Sequence, residues 1–198
     1  MSKKNEFYVM RDWNLSKGLL SLVEHINGFG NTKDMHMIEI GSYLGDSTLL
    51  FAQHFSDVLA IDPFLDDYDP NDDACNYAPF DRVYEEFINR TKDVPNIFLI
   101  KKTSDEAVES IKNAAKNIDP RNLEEANLKA FDFVYIDGMH TYEQVKKDIA
   151  NYLPFIKEGG FIAGHDYVPG FQGVMDAVNE QFGAPDAVFH DTSWLKRV

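Results

Sequence analysis

Acids, glycines and hydroxyl residues crowd into Met37-Ile-Glu-Ile-Gly-Ser-Tyr-Leu-Gly-Asp-Ser-Thr48, where an apolar run passes into a glycine turn. Gly41 and Gly45 lack a Cβ, so the chain can bend sharply there and let a ligand approach the backbone, while Ser47 and Thr48 open the following helix with free amides. Glu39 leads the turn as an acid two residues before its first glycine. About twenty residues on, Leu59-Ala-Ile-Asp-Pro63 ends a second apolar run in Asp62, placed to accept hydrogen bonds from a ribose diol. The spacing is Glu-x-Gly-x-x-x-Gly, not the Gly-x-Gly-x-x-Gly of a dinucleotide fingerprint, which favours a nucleoside without phosphates. Further along, Asp137 to His140 and Gly164-His165-Asp166 bring acids and imidazoles to the ends of two more apolar runs, and Ser104 follows a third. An imidazole with a pKa of about 6.5 suits removal of a hydroxyl proton near neutrality, so His140 and His165 are the candidate bases.

These residues need a scaffold that delivers them to one place. Leu19, Leu20, Leu22, Val23 and Ile26 give residues 12–28 a helical spacing that ends at Gly28-Phe-Gly30. Strands are then expected at 36–40, 57–61, 97–100, 131–137 and 161–163, with Gly159-Gly160 turning the chain into the last of these. Helices are expected at 47–55, 81–91, 104–117, 142–153 and 171–182, and residues 187–190 and 193–195 read as closing strands. Phe131-Asp-Phe-Val-Tyr-Ile-Asp137 is almost unbroken apolar sequence, as expected of a strand covered on both faces. The alternation predicts an α/β fold: a Rossmann-like, doubly wound, mostly parallel seven-stranded sheet with helices on both faces. Ligands in such sheets bind beyond the carboxyl ends of the strands, where Glu39 to Gly45, Asp62, Ser104, Asp137 to His140 and His165-Asp166 all fall. Residues 1–34 form an N-terminal helical cap and 35–198 the ligand-binding domain, with an acidic loop at 63–79 on the same rim.

A chain of 198 residues with 44% hydrophobic and 13% aromatic content can build one packed α/β domain. Its formal charge of -14 repels phosphate backbones and anionic lipid, which argues against nucleic acid and membrane surfaces as partners. The single cysteine, Cys75, sits among acids in the 63–79 loop and cannot form an internal disulfide; with no apolar signal core and no span of about 20 apolar residues, a cytoplasmic location is expected.

The ordered set of motifs resembles the class I S-adenosylmethionine-dependent methyltransferases. Phe133-Val-Tyr-Ile-Asp-Gly-Met-His-Thr-Tyr142, Lys157-Glu-Gly-Gly-Phe-Ile-Ala-Gly-His-Asp-Tyr167 and Pro169-Gly-Phe-Gln-Gly-Val-Met-Asp-Ala-Val178 are similar to the branch containing macrocin and aminocoumarin sugar O-methyltransferases, and the likeness covers about residues 36–198. The resemblance implies that the methionine end of the cofactor lies over Gly41 and Ser42, that Asp62 binds the ribose hydroxyls, and that Ser104 lies near the adenine. It implies a small-molecule acceptor, sugar or glycoside-like. Metal-dependent relatives hold magnesium at positions matching Asp137, His165 and Asp166, although His165 stands where they carry Asp or Asn. Met139 stands where the sugar-modifying relatives place their acid base, which leaves His140 or His165 for that role.

Other readings of the same residues stay open. Asp62 could cap a turn, Glu39 could be a buried acid without ligand contact, Ser104 could cap its helix and His140 could cap the helix at 142–153. A nicotinamide-dependent oxidoreductase would use the same sheet. A metal-dependent hydrolase would use Asp137, His140, His165 and Asp166 without Asp62, and a non-catalytic subunit would bind cofactor alone. The amino-terminal segment is short beside the lids of the sugar-modifying relatives, so the acceptor site is either open or closed by a second subunit of a homo-oligomer.

Overall fold

The computed structural model describes residues 13–69, 78–118 and 130–198; residues 1–12, 70–77 of the acidic loop with Cys75 among them, and 119–129 lie outside them. The elements run α1 (Trp13–Asn27), β1 (His36–Ile40), α2 (Asp46–His54), β2 (Asp57–Ile61), α3 (Phe80–Thr91), β3 (Ile97–Ile100), α4 (Ser104–Ile118), β4 (Phe131–Ile136), α5 (Tyr142–Tyr152), β5 (Ile156–Gly164), α6 (Gln172–Phe182), β6 (Ala187–Val188) and β7 (Trp194–Arg197). The seven strands form one sheet in the order β3-β2-β1-β4-β5-β7-β6. β1 to β5 are mutually parallel, and β7 pairs antiparallel with β5 and β6. This is the Rossmann-like, doubly wound, mostly parallel seven-stranded sheet expected from the alternating pattern.

Strand periodicity distributes the core. In β4, Val134 and Ile136 face the layer built from Val145 and Ile149 of α5, Val174 and Val178 of α6, and Ala107 of α4. Phe133 and Tyr135 point the other way, into Leu22 and Ile26 of α1 and Phe51 of α2. Successive strand side chains alternate faces, so a central strand with helices on both sides must be apolar at every position. On the second face Phe51 lies edge-on to Tyr135 with centroids 5.1 Å apart, and Phe55 stacks on Phe133 at 5.3 Å. A third cluster packs Val83 and Phe87 of α3 against Ala60 and Leu44.

Leu19, Leu22, Val23 and Ile26 of α1 form a buried stripe that shares one core with Met37 of β1, Phe51 of α2 and Phe133 of β4. Two expectations change. β5 begins at Ile156 rather than Phe161, with Gly159 and Gly160 inside it; the register shifts between Phe131 and Phe133, and Gly159 takes φ +79 where the strand bulges. α6 starts at Gln172, after a 3-10 turn over Pro169–Phe171. Among the described residues no helix is long and apolar enough to cross a membrane.

Phe133 is fully buried at the junction of three aromatic neighbours. Phe133→Ala is expected to lower the free energy of unfolding by about 3–5 kcal/mol, read from the denaturant midpoint at unchanged slope.

Candidate active site

The turn after β1 is tied to both neighbouring strands: Gly41 N–H donates to the Ile61 carbonyl at 2.8 Å and Asp137 N–H to the Ile40 carbonyl at 2.8 Å. A Cβ on Gly41, which has φ +85, would lie 1.9 Å from the Asp137 carbonyl oxygen. The glycine is therefore required by the meeting of two chain segments, not only by a ligand. At Gly45 (φ +80) a Cβ would reach 3.0 Å from the Phe87 ring. Two non-glycine residues nearby also have positive φ, Tyr43 at 44° and Phe64 at 50°. Asp62 holds both, accepting from Tyr43 N–H through Oδ2 at 2.9 Å and from Phe64 N–H through Oδ1 at 2.7 Å. The carboxylate also lines the cavity. Burial raises the Asp62 pKa, opposed by the amides of Tyr43, Phe64 and Ser42.

Glu39 is fully buried behind this turn. Thr48 Oγ1 donates to Glu39 Oε2. Removal from water pushes Glu39 up to about 7, and the hydroxyls of Ser47, Thr48 and Ser42 only partly offset that. Thr48 thus turns toward Glu39 rather than into the cavity.

A second buried acid lies beyond β3. Ser104 opens α4, but the helix cap is Thr103: Glu106 N–H donates to Thr103 Oγ1 at 3.3 Å and Thr103 N–H to Glu106 Oε2 at 3.2 Å, a reciprocal capping box. That places Ser104 one residue into the helix, where its side chain is buried and receives Gln144 Nε2 at 3.1 Å. The same Nε2 donates to Asp148 Oδ1 at 3.0 Å. Burial raises Asp148 to about 6 against the hydrogen bonds of Ser104 and Gln144.

At the other end, β4 and β5 deliver Asp137, His140, His165 and Asp166 together. His140 is knotted among carboxylates: Asp69 Oδ2 accepts its backbone N–H at 2.8 Å and lies 3.0 Å from Nδ1, Asp166 Oδ2 lies 2.9 Å from Nε2, and Asp137 Oδ1 is 3.8 Å away. Burial works against the charged ring, but hydrogen bonds to Asp137, Asp166 and Asp69 outweigh it and push His140 up to about 12. His165 Nδ1 is 3.1 Å from Asp166 Oδ2 and 4.0 Å from Asp137 Oδ1. Its burial is likewise outweighed by Asp137 and Asp166, which bring it to about 9. Asp166 is itself buried, yet the two rings hold its carboxyl below the usual range. The surrounding carboxylates thus favour the protonated form of both rings, which weighs against the role expected of an unperturbed imidazole.

The set expected to hold a metal also changes. Asp137, His140 and Asp166 each bring one ligand atom within 4.8 Å of the others, whereas the expected third member was His165. This donor set does not suit magnesium, a hard ion that prefers near-octahedral oxygen.

Between these two ends lies a cavity of about 330 Å³ lined by Gly41, Asp62, Ser104, Asp137, His140, His165 and Asp166. Ile40, Ile61, Pro63, Leu65 and Phe80 supply its apolar wall. A site of this size with apolar faces and a few convergent polar groups fits a nucleoside-containing ligand. His165 Nε2 is buried there without a hydrogen-bond partner among the described residues. Glu39, Ser42, Gly45, Ser47 and Thr48 are not on the wall: they support the turn from behind. Asp69 and Asp148, absent from the sequence reading, are on it. Asp148 had a legible signal, since Val145, Asp148, Ile149 and Tyr152 form one buried stripe at helical spacing and a carboxylate interrupts it.

The profile of a family described as "Methyltransferase domain" matches residues 38–167. The chain belongs to this methyltransferase family. No curated protein sequence matches it closely. Among solved structures it is similar to a candidate O-methyltransferase from Klebsiella pneumoniae (18% identity, 96% of this chain and 83% of that one, TM-score 0.56). It is also similar to an RNA methyltransferase from Salinibacter ruber in complex with S-adenosyl-L-homocysteine (13%, 96% and 94%, TM-score 0.54). A third is phosphoethanolamine N-methyltransferase 1 from Haemonchus contortus (14%, 79% of this chain, TM-score 0.51), of whose length the present chain spans 26%. At these identities the likeness is one of fold.

The methyltransferase carries a stability consequence of Glu39. An acid raised from 4.5 to about 7 binds more protons folded than unfolded between those values, so its contribution to stability falls as pH rises through that window. Glu39→Gln is expected to raise the thermal midpoint relative to the parent at pH 8 and to show a smaller gain at pH 5, measured by calorimetry without ligand.

Proposed function

We propose that this methyltransferase transfers a methyl group from S-adenosylmethionine to a hydroxyl oxygen of a small, polyol-like acceptor such as a sugar or glycoside. The observation that supports it most is the one cavity wall that carries Asp62 on one side of the Gly41 turn and the Asp137 cluster on the other. Bound there, S-adenosylmethionine would supply a methyl carbon already activated by sulfonium for in-line displacement. Asp62 is suited to the ribose diol, with Gly41 beneath the methionine portion. Ile40, Ile61 and Leu65 exclude water from the path between donor and acceptor.

The proton that leaves the acceptor hydroxyl needs a base, and the cationic rings of His140 and His165 do not provide one. Asp137 lines the cavity and makes the longest contacts in the cluster, 3.8 Å to His140 Nε2 and 4.0 Å to His165 Nδ1, so it is the carboxylate nearest the acceptor that is held least tightly. As the oxygen–carbon bond forms and the carbon–sulfur bond breaks, the hydroxyl becomes acidic enough for a carboxylate to take its proton. His140 and His165 are then positioning residues. The carboxylates of Asp69, Asp137 and Asp166 accept hydrogen bonds from polyol hydroxyls, and a chain of charge -14 disfavours a nucleic-acid acceptor.

Titration calorimetry with S-adenosylhomocysteine tests the pocket: the parent binds and Asp62→Ala does not. Asp137→Asn is expected to lower kcat for a competent acceptor by about 10²–10⁴ while leaving S-adenosylhomocysteine affinity little changed. Chelation should leave the rate unaltered, because a donor set that includes an imidazole does not suit magnesium. The Asp137, His140 and Asp166 group gives a second reading, metal-dependent hydrolysis, which would be established by a cation-dependent activity that survives Asp62→Ala.

A further inference from the structure

The loop that leaves β2 runs along the rim of the sheet. It starts at Asp62, and Asp69 reaches His140, beyond the end of β4. β1 stands between β2 and β4, so residues 63–69 cross the carboxyl end of β1, where the Gly41 turn lies. Two strand spacings are about 10 Å, whereas seven extended residues could span about 23 Å. The surplus chain is taken up in bends, with left-handed backbone at Phe64 (φ 50) and Asp67 (φ 56). Pro63, Leu65, Tyr68 and Asp69 of this crossing line the cavity.

Its two ends are pinned by different physics. Phe64 is 5% exposed and packs in the third core cluster, its ring centroid 5.2 Å from that of Tyr84 and 5.5 Å from that of Phe87. Asp69 is equally buried, but it meets His140 through polar contacts: Oδ2 accepts the backbone N–H at 2.8 Å and lies 3.0 Å from Nδ1. Between these ends Leu65, Asp66 and Asp67 are exposed, and Asp66 Oδ1 accepts Phe80 N–H at 2.9 Å. Water can replace the partners of a carboxylate but not those of a buried ring. The Phe64 end therefore holds while the Asp69 end is the one that can release.

We propose that residues 63–69 form a strap across the cavity, hinged at Phe64, and that Asp69 on His140 is the latch whose release admits and frees the cofactor. The strap supplies part of the cavity wall, so a ligand seated between it and the Gly41 turn is enclosed until the latch end lifts. Asp67, exposed and left-handed, relaxes when it does. The inference rests on the S-adenosylmethionine reading above, because the molecule exchanged is the cofactor of that reading.

Stopped-flow mixing of the full chain with S-adenosylhomocysteine measures exchange in both directions. Removing a latch speeds entry and exit together, whereas removing an ordinary contact speeds exit alone. Asp69→Ala is expected to raise the association rate constant by about 3–10-fold and the dissociation rate constant by about 10–100-fold. Faster dissociation with unchanged or slower association would overturn the proposal, and so would unchanged rates in both directions. Hydrogen exchange of the ligand-free parent gives a test without a variant. After correction for intrinsic rates, the His140 amide is expected to exchange at least about tenfold faster than the Gly41 amide, which donates to the Ile61 carbonyl at 2.8 Å. Equal protection of the two amides would mean that Asp69 lets go only when the sheet opens, which also overturns it. Absence of S-adenosylhomocysteine binding by the parent would instead overturn the cofactor reading and this assignment with it, whatever the His140 amide shows.

Discussion

β1 is paired in parallel with β2 on one side and β4 on the other, and that pairing decides where everything else in the molecule must stand. Parallel neighbours point their carboxyl ends the same way, so Gly41, Asp62 and Asp137 leave the sheet along a single edge. The turn at Gly41 passes so close to the Asp137 carbonyl that no side chain can intervene. Close contact between those two segments closes the floor of the cavity. Asp62 then fixes its flank by accepting the amides of Tyr43 and Phe64, both of which have left-handed backbone. Conformations of that kind cost energy and persist only where neighbouring groups over-determine them.

The buried acids of the region serve separate ends. Glu39 lies behind the turn, fully desolvated, and anchors α2 to β1 through Thr48. Asp62 lies between two loops and lines the cavity. Asp148 lies between two helices and does the same from the opposite wall. Asp137 and Asp166 meet imidazoles, and their charges are offset by rings held in the protonated state. The fold concentrates acids near one rim and neutralises them by different devices: desolvation, backbone amides, a fixed side-chain amide, and imidazolium.

His140 shows how far surroundings can move a group from its ordinary behaviour. As an isolated residue type it is a base near neutrality. Among Asp69, Asp137 and Asp166 it becomes a fixed cation that binds the loop after β2 to the end of β4 through two contacts with Asp69. With Asp137 and Asp166 it forms the group whose ligand atoms lie close enough to share one ion, so holding a cation there would require His140 to release its proton.

The sequence by itself determined the fold class, the strand order's carboxyl rim and the placement of Asp62, Ser104, Asp137, His140, His165 and Asp166 along it. It could do so because strand and helix periodicity are local properties, and because parallel pairing carries every strand end to one edge. Even the unremarked Asp148 was legible as a polar interruption of the Val145, Ile149 and Tyr152 stripe. Only the tertiary structure decided which of these residues reach the cavity and which stand behind it, as Glu39, Ser47 and Thr48 do. It also brought Asp69 from the loop after β2 onto His140, 71 residues away, and so helped to set the charge of that ring. Those outcomes depend on distances and desolvation between segments remote in sequence, which no spacing along the chain encodes.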